Sequence, residues 1–295
     1  MKILITGING MLGTELAGVL EPSHEVTGID IESAPSGRKV YKVDLTDSKT
    51  TYDAIIKVNP DIVIHTAAVT NVDQCETEPD FAYKLNAIAT RNVAAACQRF
   101  DAAMLYISTD YVFSGTGPPK TGYTEFDRPG PISVYGDSKY AGELFVKELL
   151  NKHFIVRTSW LFGHLRANFV TQIADALKSG KPVKTASDMT SSPTYAKDLS
   201  HAIEKLIKTN LYGTYHLCNS GFASRYAIGL EIAGMLKLPD KNVKKIKIEK
   251  LKLPAGRPRF SGMRNYVWEL NGFKPMRPWQ EAVKEFLNEK GYFNA

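Results

Sequence analysis

A doubly wound, largely parallel α/β sheet with a smaller C-terminal α/β portion is the fold class the sequence predicts, on three observations. Through the first 160 residues short apolar runs alternate with helix-like stretches, the pattern of strand–helix–strand units whose sheet is covered on both faces. A glycine-rich turn joins the first apolar run directly to the first helical stretch. Beyond residue 160 the alternation loosens, and helical stretches are separated by Gly- and Pro-bearing connections.

Taken in order, strands are predicted over 2–6, 25–30, 61–67, 102–109 and 153–159. DIVIHTA and MLYIS are nearly continuous in apolar residues, which suits strands buried on both faces. Helices are predicted over 14–20, 79–98 and 135–152. In the second half, helices near 168–179, 195–208, 224–236 and 278–290 are set apart by Ser192-Pro193, Leu253-Pro254 and Arg257-Pro258.

The turn after the first strand reads Gly7-Ile-Asn-Gly10-Met-Leu-Gly13. Glycines there permit a tight bend, close approach of backbone to a pyrophosphate, and close packing of helix on strand, while free N–H groups at the helix start meet the anion. Gly7, Asn9, Gly10, Met11, Leu12 and Gly13 are therefore expected to touch a dinucleotide, although the spacing is G-x-x-G-x-x-G rather than G-x-G-x-x-G. This makes the first part a Rossmann-type dinucleotide-binding domain over 1–160, to which later strands and helices return, and 161–295 a mainly substrate-binding portion. Asp30 ends the second strand where an acid can hold ribose hydroxyls, which favours NADH; Arg38 and Lys39 follow closely and can accommodate the extra phosphate of NADPH. Asp44, with Leu45 beside it, either lies near the adenine or is a turn acid before Thr46-Asp47.

Of the 14 tyrosines only Tyr135 has a lysine four places on, Lys139, and the pair shares one helix face. It follows Ile107-Ser108-Thr109-Asp110-Tyr111, where a buried strand reaches the carboxyl edge of the sheet, the edge at which open α/β sheets bind ligands. A tyrosine hydroxyl can protonate a carbonyl oxygen as hydride reaches its carbon, and a lysine ammonium can stabilise the phenolate and hold the nicotinamide ribose. A hydroxyl from Thr109 or Ser108 supplies a second hydrogen bond to the developing alkoxide.

With these motifs in place the chain resembles the extended short-chain dehydrogenase/reductases and, within them, the dTDP-4-dehydrorhamnose reductase family. The resemblance runs through HTAAVTNVDQCETEP at 65–79, Leu85-Asn86-Ala87, STDYVFSG at 108–115, RTSWLFG at 157–163, Asn168-Phe169-Val170, SSPTYAKDL at 191–199, GTYHLCNSG at 213–221 and the late Arg-Pro pairs. It implies NADH- or NADPH-dependent reduction of a ketone on a nucleotide-linked sugar. Thr109, Tyr135 and Lys139 match the catalytic trio, the last two also holding cofactor. Ala67, Ala68 and Asn86 match positions lining the cofactor, and Thr70, Asn71, Val72 and Trp160 match contacts with sugar or nicotinamide. Asp110, Pro193 and Arg257 are further expected near the substrate. A homodimer and a Mg2+ ion are implied by resemblance alone. Two departures fall in the substrate half. Ser191-Ser192-Pro193-Thr194 stands where the family usually reads Gly-Ser-Pro-Thr, and Phe260-Ser261-Gly262-Met263-Arg264-Asn265 replaces a stretch that usually carries an aspartate.

Other members of the superfamily are nucleotide-sugar epimerases and dehydratases. Dehydratases place a Glu after the Asp of Thr-Asp, whereas Tyr111 follows Asp110 here. A relative that serves as a regulatory subunit of a methionine adenosyltransferase offers a non-catalytic alternative, against which the intact Tyr135, Lys139 and Thr109 speak.

Composition narrows the remaining classes. The 295 residues are 43% hydrophobic, ordinary for a soluble globular protein. They hold no run of about 18 apolar residues of the kind that spans a membrane. The start shows no signal-peptide pattern, so a cytoplasmic location is expected. Cys75, Cys97 and Cys218 lack disulfide or metal spacing and read as buried thiols. The net charge of +6 is local: residues 237–264 carry ten Lys/Arg against two acids, leaving −2 for the rest. That concentration argues against nucleic acid as a partner. The alternating KKIKIEKLKL predicts a strand with one wet face, read either as a solvated edge or as a cationic rim for an anionic substrate.

Overall fold

A computed structural model describes the chain except residues 34–36, 118, 120 and 294–295. In chain order its first half runs β1 (Lys2–Thr6), α1 (Met11–Leu20), β2 (Glu25–Asp30), β3 (Val40–Lys42), α2 (Ser48–Val58), β4 (Ile62–His65), α3 (Val72–Thr77), α4 (Pro79–Tyr83), α5 (Ala89–Arg99), β5 (Ala103–Thr109), α6 (Val134–Leu149) and β6 (His153–Thr158). The second half runs β7 (Leu161–Phe162), α7 (Phe169–Lys178), β8 (Val183–Ala186), β9 (Thr190–Ser191), β10 (Thr194–Tyr195), α8 (Ala196–Leu206), β11 (Gly213–His216), β12 (Ala223–Ser224), α9 (Arg225–Met235), β13 (Val243–Ile246), α10 (Tyr266–Leu270) and α11 (Trp279–Glu289).

Seven parallel strands form the main sheet in the order β11-β6-β5-β4-β1-β2-β3. The order reverses beside β1, and such a switch point opens a crevice at the carboxyl edge. Period-two alternation feeds both faces of the sheet. Ile3, Ile5, Ile62, Ile64, Leu105, Ile107, Phe154 and Val156 pack with Leu12 and Leu16 of α1 and Leu199 and Ile203 of α8. Leu4, Val63, Met104, Tyr106 and Ile155 pack against Ala54 and Ile55 of α2, Val93 and Cys97 of α5, and Val146 of α6. The later half thus returns β11 and α8 to the main sheet. A separate apolar cluster, with Phe162, Ile173, Tyr195, Ile228, Trp279 and Phe286, forms the core of the remainder.

Two predicted strands differ in an informative way. β4 ends at His65 rather than 67, because the Thr66 hydroxyl turns back to donate to Thr6 O at 2.7 Å and the chain leaves the sheet to wall the cleft. The basic alternation yields only β13, which pairs with β8. Asp188 then accepts from the Ile248 N–H at 2.9 Å and draws residues 248–251 into a 3-10 turn. The helix predicted over 79–98 is one run with a widened π-turn at Lys84–Ile88 between α4 and α5. β3, α2 and β11 are elements the sequence reading did not separate. Among the described residues no helix is long and apolar enough to cross a membrane.

Candidate active site

A cleft runs along the carboxyl edge of the sheet in two joined halves. One, of about 260 Å³, is lined by Gly7, Asn9, Gly10, Asp30, Glu32, Asp44, Leu45, Ala67, Ala68 and Arg166 among others. The other, of about 400 Å³, shares Gly10, Thr66, Ala68 and Arg166 and continues past Met11, Leu12, Thr70, Ser108, Thr109, Asp110, Tyr135, Lys139 and Trp160.

The first half fits a dinucleotide by its backbone. Gly7 has φ +69°, the left-handed region that favours glycine, and a Cβ there would lie 2.8 Å from the Ala67 nitrogen. Gly13 lines no cavity; a Cβ on it would meet Gly7 O at 2.3 Å, so its absence lets α1 start directly on the turn. The Asp30 carboxylate is aimed by the turn itself, accepting from Asn9 N–H at 3.0 Å and Ile31 N–H at 2.8 Å. Arg38 is engaged by Glu21 at 2.7 Å and does not line the cleft.

The second half gathers the expected trio. Ser133 caps α6 by accepting from Gly136 N–H at 3.2 Å, which places Tyr135 in the first turn beside the end of β5. Burial raises the Tyr135 hydroxyl well above the ordinary phenol range, while the Thr109 hydroxyl pulls it back. Tyr135 therefore stays protonated at neutral pH. Lys139, 3% exposed, is brought down by burial to about 7, with Glu143 opposing the fall. Its ammonium lies 4.2 Å from the centroid of the Tyr106 ring. Glu143 offers little neutralisation, because Arg157 holds it at 2.8 and 2.7 Å and Ser108 donates to it at 2.6 Å. That bond commits Ser108 and leaves Thr109 as the hydroxyl facing Tyr135.

Other predicted residues take different places. Asn86 lines neither half; fully buried, its amide bridges Val69 N–H and C=O at 3.0 and 3.1 Å and donates to Ser138. It holds the cavity wall to α6. Asn71 caps α3 by accepting from Gln74 N–H at 3.2 Å, and Val72 is the first residue of that helix; neither lines the cavity that Thr70 borders. Pro193 is buried between β9 and β10. Arg257 does not reach the cavity: Asp73 takes its guanidinium at 3.0 and 2.8 Å and accepts Ala255 N–H as well. Trp160 lines the cavity in an uncommon left-handed backbone conformation, φ +42°.

Asp110 is 2% exposed and accepts from Ser191 at 2.8 Å, Ser261 at 2.5 Å and Thr109 at 3.2 Å. Burial raises its carboxyl, and these hydroxyls oppose the rise. Ser191 and Ser261 lie in the two segments that depart from the family pattern, and both close on the same carboxylate. Arg166, which lines both halves, carried no signal in the sequence; the Glu143–Arg157 pair was likewise invisible, since its partners lie on a helix and a strand. Among the described residues no three or more His, Cys, Asp or Glu gather to hold a metal, so Mg2+ is given no ligand set and no step below passes through it.

The sequence and the fold match known proteins. A family model described as RmlD substrate binding domain matches residues 1–291. The spore coat polysaccharide biosynthesis protein SpsK of Bacillus subtilis (strain 168) is 34% identical over 98% of each chain. The dTDP-4-dehydrorhamnose reductase of Escherichia coli (strain K12) is 32% identical, also over 98% of each. The crystal structure of dTDP-4-dehydrorhamnose reductase from Bacillus anthracis str. Ames in complex with NADP superposes with a TM-score of 0.90 at 42% identity, covering 98% of this chain and 99% of that one. A UDP-glucose 4-epimerase from Thermus thermophilus, at 20% identity and a TM-score of 0.82, shares the fold. The chain belongs to the RmlD substrate-binding-domain family, that of the dTDP-4-dehydrorhamnose reductases.

Proposed function

We propose that this protein reduces the C4 ketone of dTDP-4-dehydro-L-rhamnose to give dTDP-L-rhamnose, with NAD(P)H as cofactor. The observation that carries the reading is the placement of Thr109, Tyr135 and Lys139 on one cavity wall, continuous with the Gly7–Gly13 turn. The relatives that bear the reductase name support the same substrate.

In this reading Gly7, Asn9, Gly10, Met11 and Leu12 cradle the dinucleotide, with Asp30, Asp44, Leu45, Ala67 and Ala68 around its adenosine end. When bound, the nicotinamide supplies the hydride; the protein supplies orientation and electrostatics. Thr109 turns its single hydroxyl proton from Asp110 to the carbonyl oxygen when substrate binds, and Tyr135, protonated at neutral pH, passes its proton to the oxygen as negative charge develops there. Lys139 places a cation beside the tyrosine and lowers the cost of its phenolate. Thr70, Asp110 and Trp160 shape the sugar side of the cavity. Asp30 and Glu32 set two carboxylates at the adenosine end while Arg38 is tied to Glu21, which favours NADH over NADPH. The three buried, unpaired cysteines support work in a reducing, cytoplasmic compartment.

The test mixes purified protein with the dTDP-4-keto-6-deoxy-L-sugar and follows NADH and NADPH absorbance, with Tyr135→Phe as control. The reading predicts stoichiometric oxidation that the variant lowers by about 10³-fold. No oxidation by protein shown to bind either cofactor sinks it.

A further inference from the structure

The charge of the cleft changes where its two halves join. The residues lining the half of about 260 Å³ include three carboxylates, Asp30, Glu32 and Asp44, and a single cation, Arg166. The half of about 400 Å³ is lined by Lys139, Asp110 and, again, Arg166. Four residues border both halves: Gly10, Thr66, Ala68 and Arg166. They mark the neck that any ligand occupying both halves must cross, and Arg166 is the one charged side chain among them.

The backbone that carries Arg166 is tied to the phosphate-binding turn. It belongs to the loop between β7 and α7, which packs on the start of α1: a Cβ on Gly163 would lie 3.1 Å from Met11 Cγ, and His164 N–H donates to the Glu15 carboxylate at 3.4 Å. Asn168 closes the loop by donating to Gly163 O at 2.9 Å and Arg166 O at 3.2 Å. The side chain, by contrast, is exposed, and among the described residues its guanidinium makes no ion pair or hydrogen bond. Arg38 and Arg257 are held by Glu21 and Asp73, so Arg166 is the arginine at this cleft with its donors uncommitted.

A dinucleotide with its adenosine by Asp30 and its nicotinamide by Tyr135 and Lys139 brings its diphosphate to the neck. Two negative charges then arrive beside three carboxylates, and backbone N–H groups of the turn meet them from one side only. A cation on the facing wall offsets that repulsion, and a guanidinium can meet two phosphate oxygens at once. We propose that Arg166 reaches across the neck to the diphosphate of the bound dinucleotide and pins it against the Gly7–Gly13 turn. This rests on the dinucleotide reading above and adds the side chain that recognises the anionic link.

The experiment measures binding rather than turnover, so it does not depend on the identity of the sugar. Isothermal titration with NADH, NADPH and dTDP is run on the full chain, as parent, Arg166→Lys, Arg166→Gln and Arg166→Glu. The expected result is a loss of about tenfold for NADH and NADPH alike in Arg166→Gln, a smaller loss in Arg166→Lys, a larger one in Arg166→Glu, and unchanged dTDP affinity. Equal NADH affinity in all four proteins overturns the proposal. So does one and the same loss in all three variants, which makes the residue's shape rather than its charge the cause. A loss confined to NADPH assigns Arg166 to the extra phosphate, and a loss confined to dTDP assigns it to the substrate; either overturns the proposal. A parent that binds neither NADH nor NADPH overturns the inference together with the reading it rests on. A parent that binds NADH through Arg166 yet reduces no dTDP-4-keto sugar keeps the inference and removes only the assigned substrate.

Discussion

Replacing Lys139 by methionine should make the protein more stable and almost inactive, with a stability gain that shrinks as the pH rises. Lys139 is carried from its ordinary 10.5 to about 7 by burial, and at 1.36 kcal/mol per pH unit that change corresponds to ~5 kcal/mol of destabilisation below pH 7. The sign follows from proton counting. Between pH 7 and 10.5 the unfolded chain binds the lysine proton more fully than the folded one, so the stability of the parent climbs with pH across that window. The residual penalty is ~4 kcal/mol at pH 7 and ~2 kcal/mol at pH 9. Glu143 keeps Arg157 as its partner in the variant, so no new buried charge is stranded. A net gain of ~4 kcal/mol at pH 7 and ~2 kcal/mol at pH 9 is therefore expected, or roughly 6 °C and 3 °C in Tm for a chain of this size. The assay is thermal unfolding of the cofactor-free proteins at both pH values, beside kcat, which should fall about 10²- to 10³-fold. A variant that melts below the parent, or a gap unchanged from pH 7 to 9, would refute the claim that Lys139 is held against its preference for water.

Tyr135→Phe removes the proton donor but no cofactor contact of the turn, so kcat should fall about 10³-fold while the NADH Kd, read by fluorescence titration, stays within a factor of about two. Asp30→Ala should weaken NADH by about tenfold, the value of one charge-assisted hydrogen bond, and leave NADPH equal or tighter; a parallel loss for both cofactors would remove Asp30 from recognition of the ribose. Glu143→Gln strands Arg157, whose side chain is 2% exposed, and should cost ~3–5 kcal/mol in a denaturant melt. Because Glu143 opposes the fall of Lys139, the same variant should shift any Lys139-dependent limb of the pH–rate profile to lower pH.

How far the sequence reveals this depends on how local each cause is. β1 is legible to the residue because a strand buried on both faces leaves an unbroken apolar run, and the Gly7–Gly13 turn is legible because backbone approach demands glycine at specific places. β3 is three residues long and α2 buries only Thr51, Ala54 and Ile55, so neither writes a strong period. β11, Gly-Thr-Tyr-His, owes its place at the sheet edge to β6, a partner about sixty positions away. In the site, Tyr135 and Lys139 are four apart and visible as a pair. The roles of Ser108 and Asn86 as scaffolding are not visible, because Glu143 and Val69, which claim them, are settled only by packing.

Asp110 shows why the substrate half resists reading from the chain alone. Its carboxylate is met by hydroxyls from residues 109, 191 and 261, and Ser159 joins the group through Ser191 at 2.5 Å. No periodic pattern relates these positions, and each serine alone reads as an ordinary loop residue. Together they solve one electrostatic problem. A carboxylate at the end of β5 has lost its water and has no paired cation, so it is stable there only when hydroxyl donors replace the solvent. Those donors arrive from the β6–β7 junction, from β9 and from the loop before α10, and each is supplied only when its segment is docked. The same carboxylate accepts from Thr109, the hydroxyl that faces Tyr135. Closing the second half of the chain over the sheet and orienting the catalytic threonine are therefore one event, which explains why polar residues occupy a position that packing alone would give to an apolar side chain.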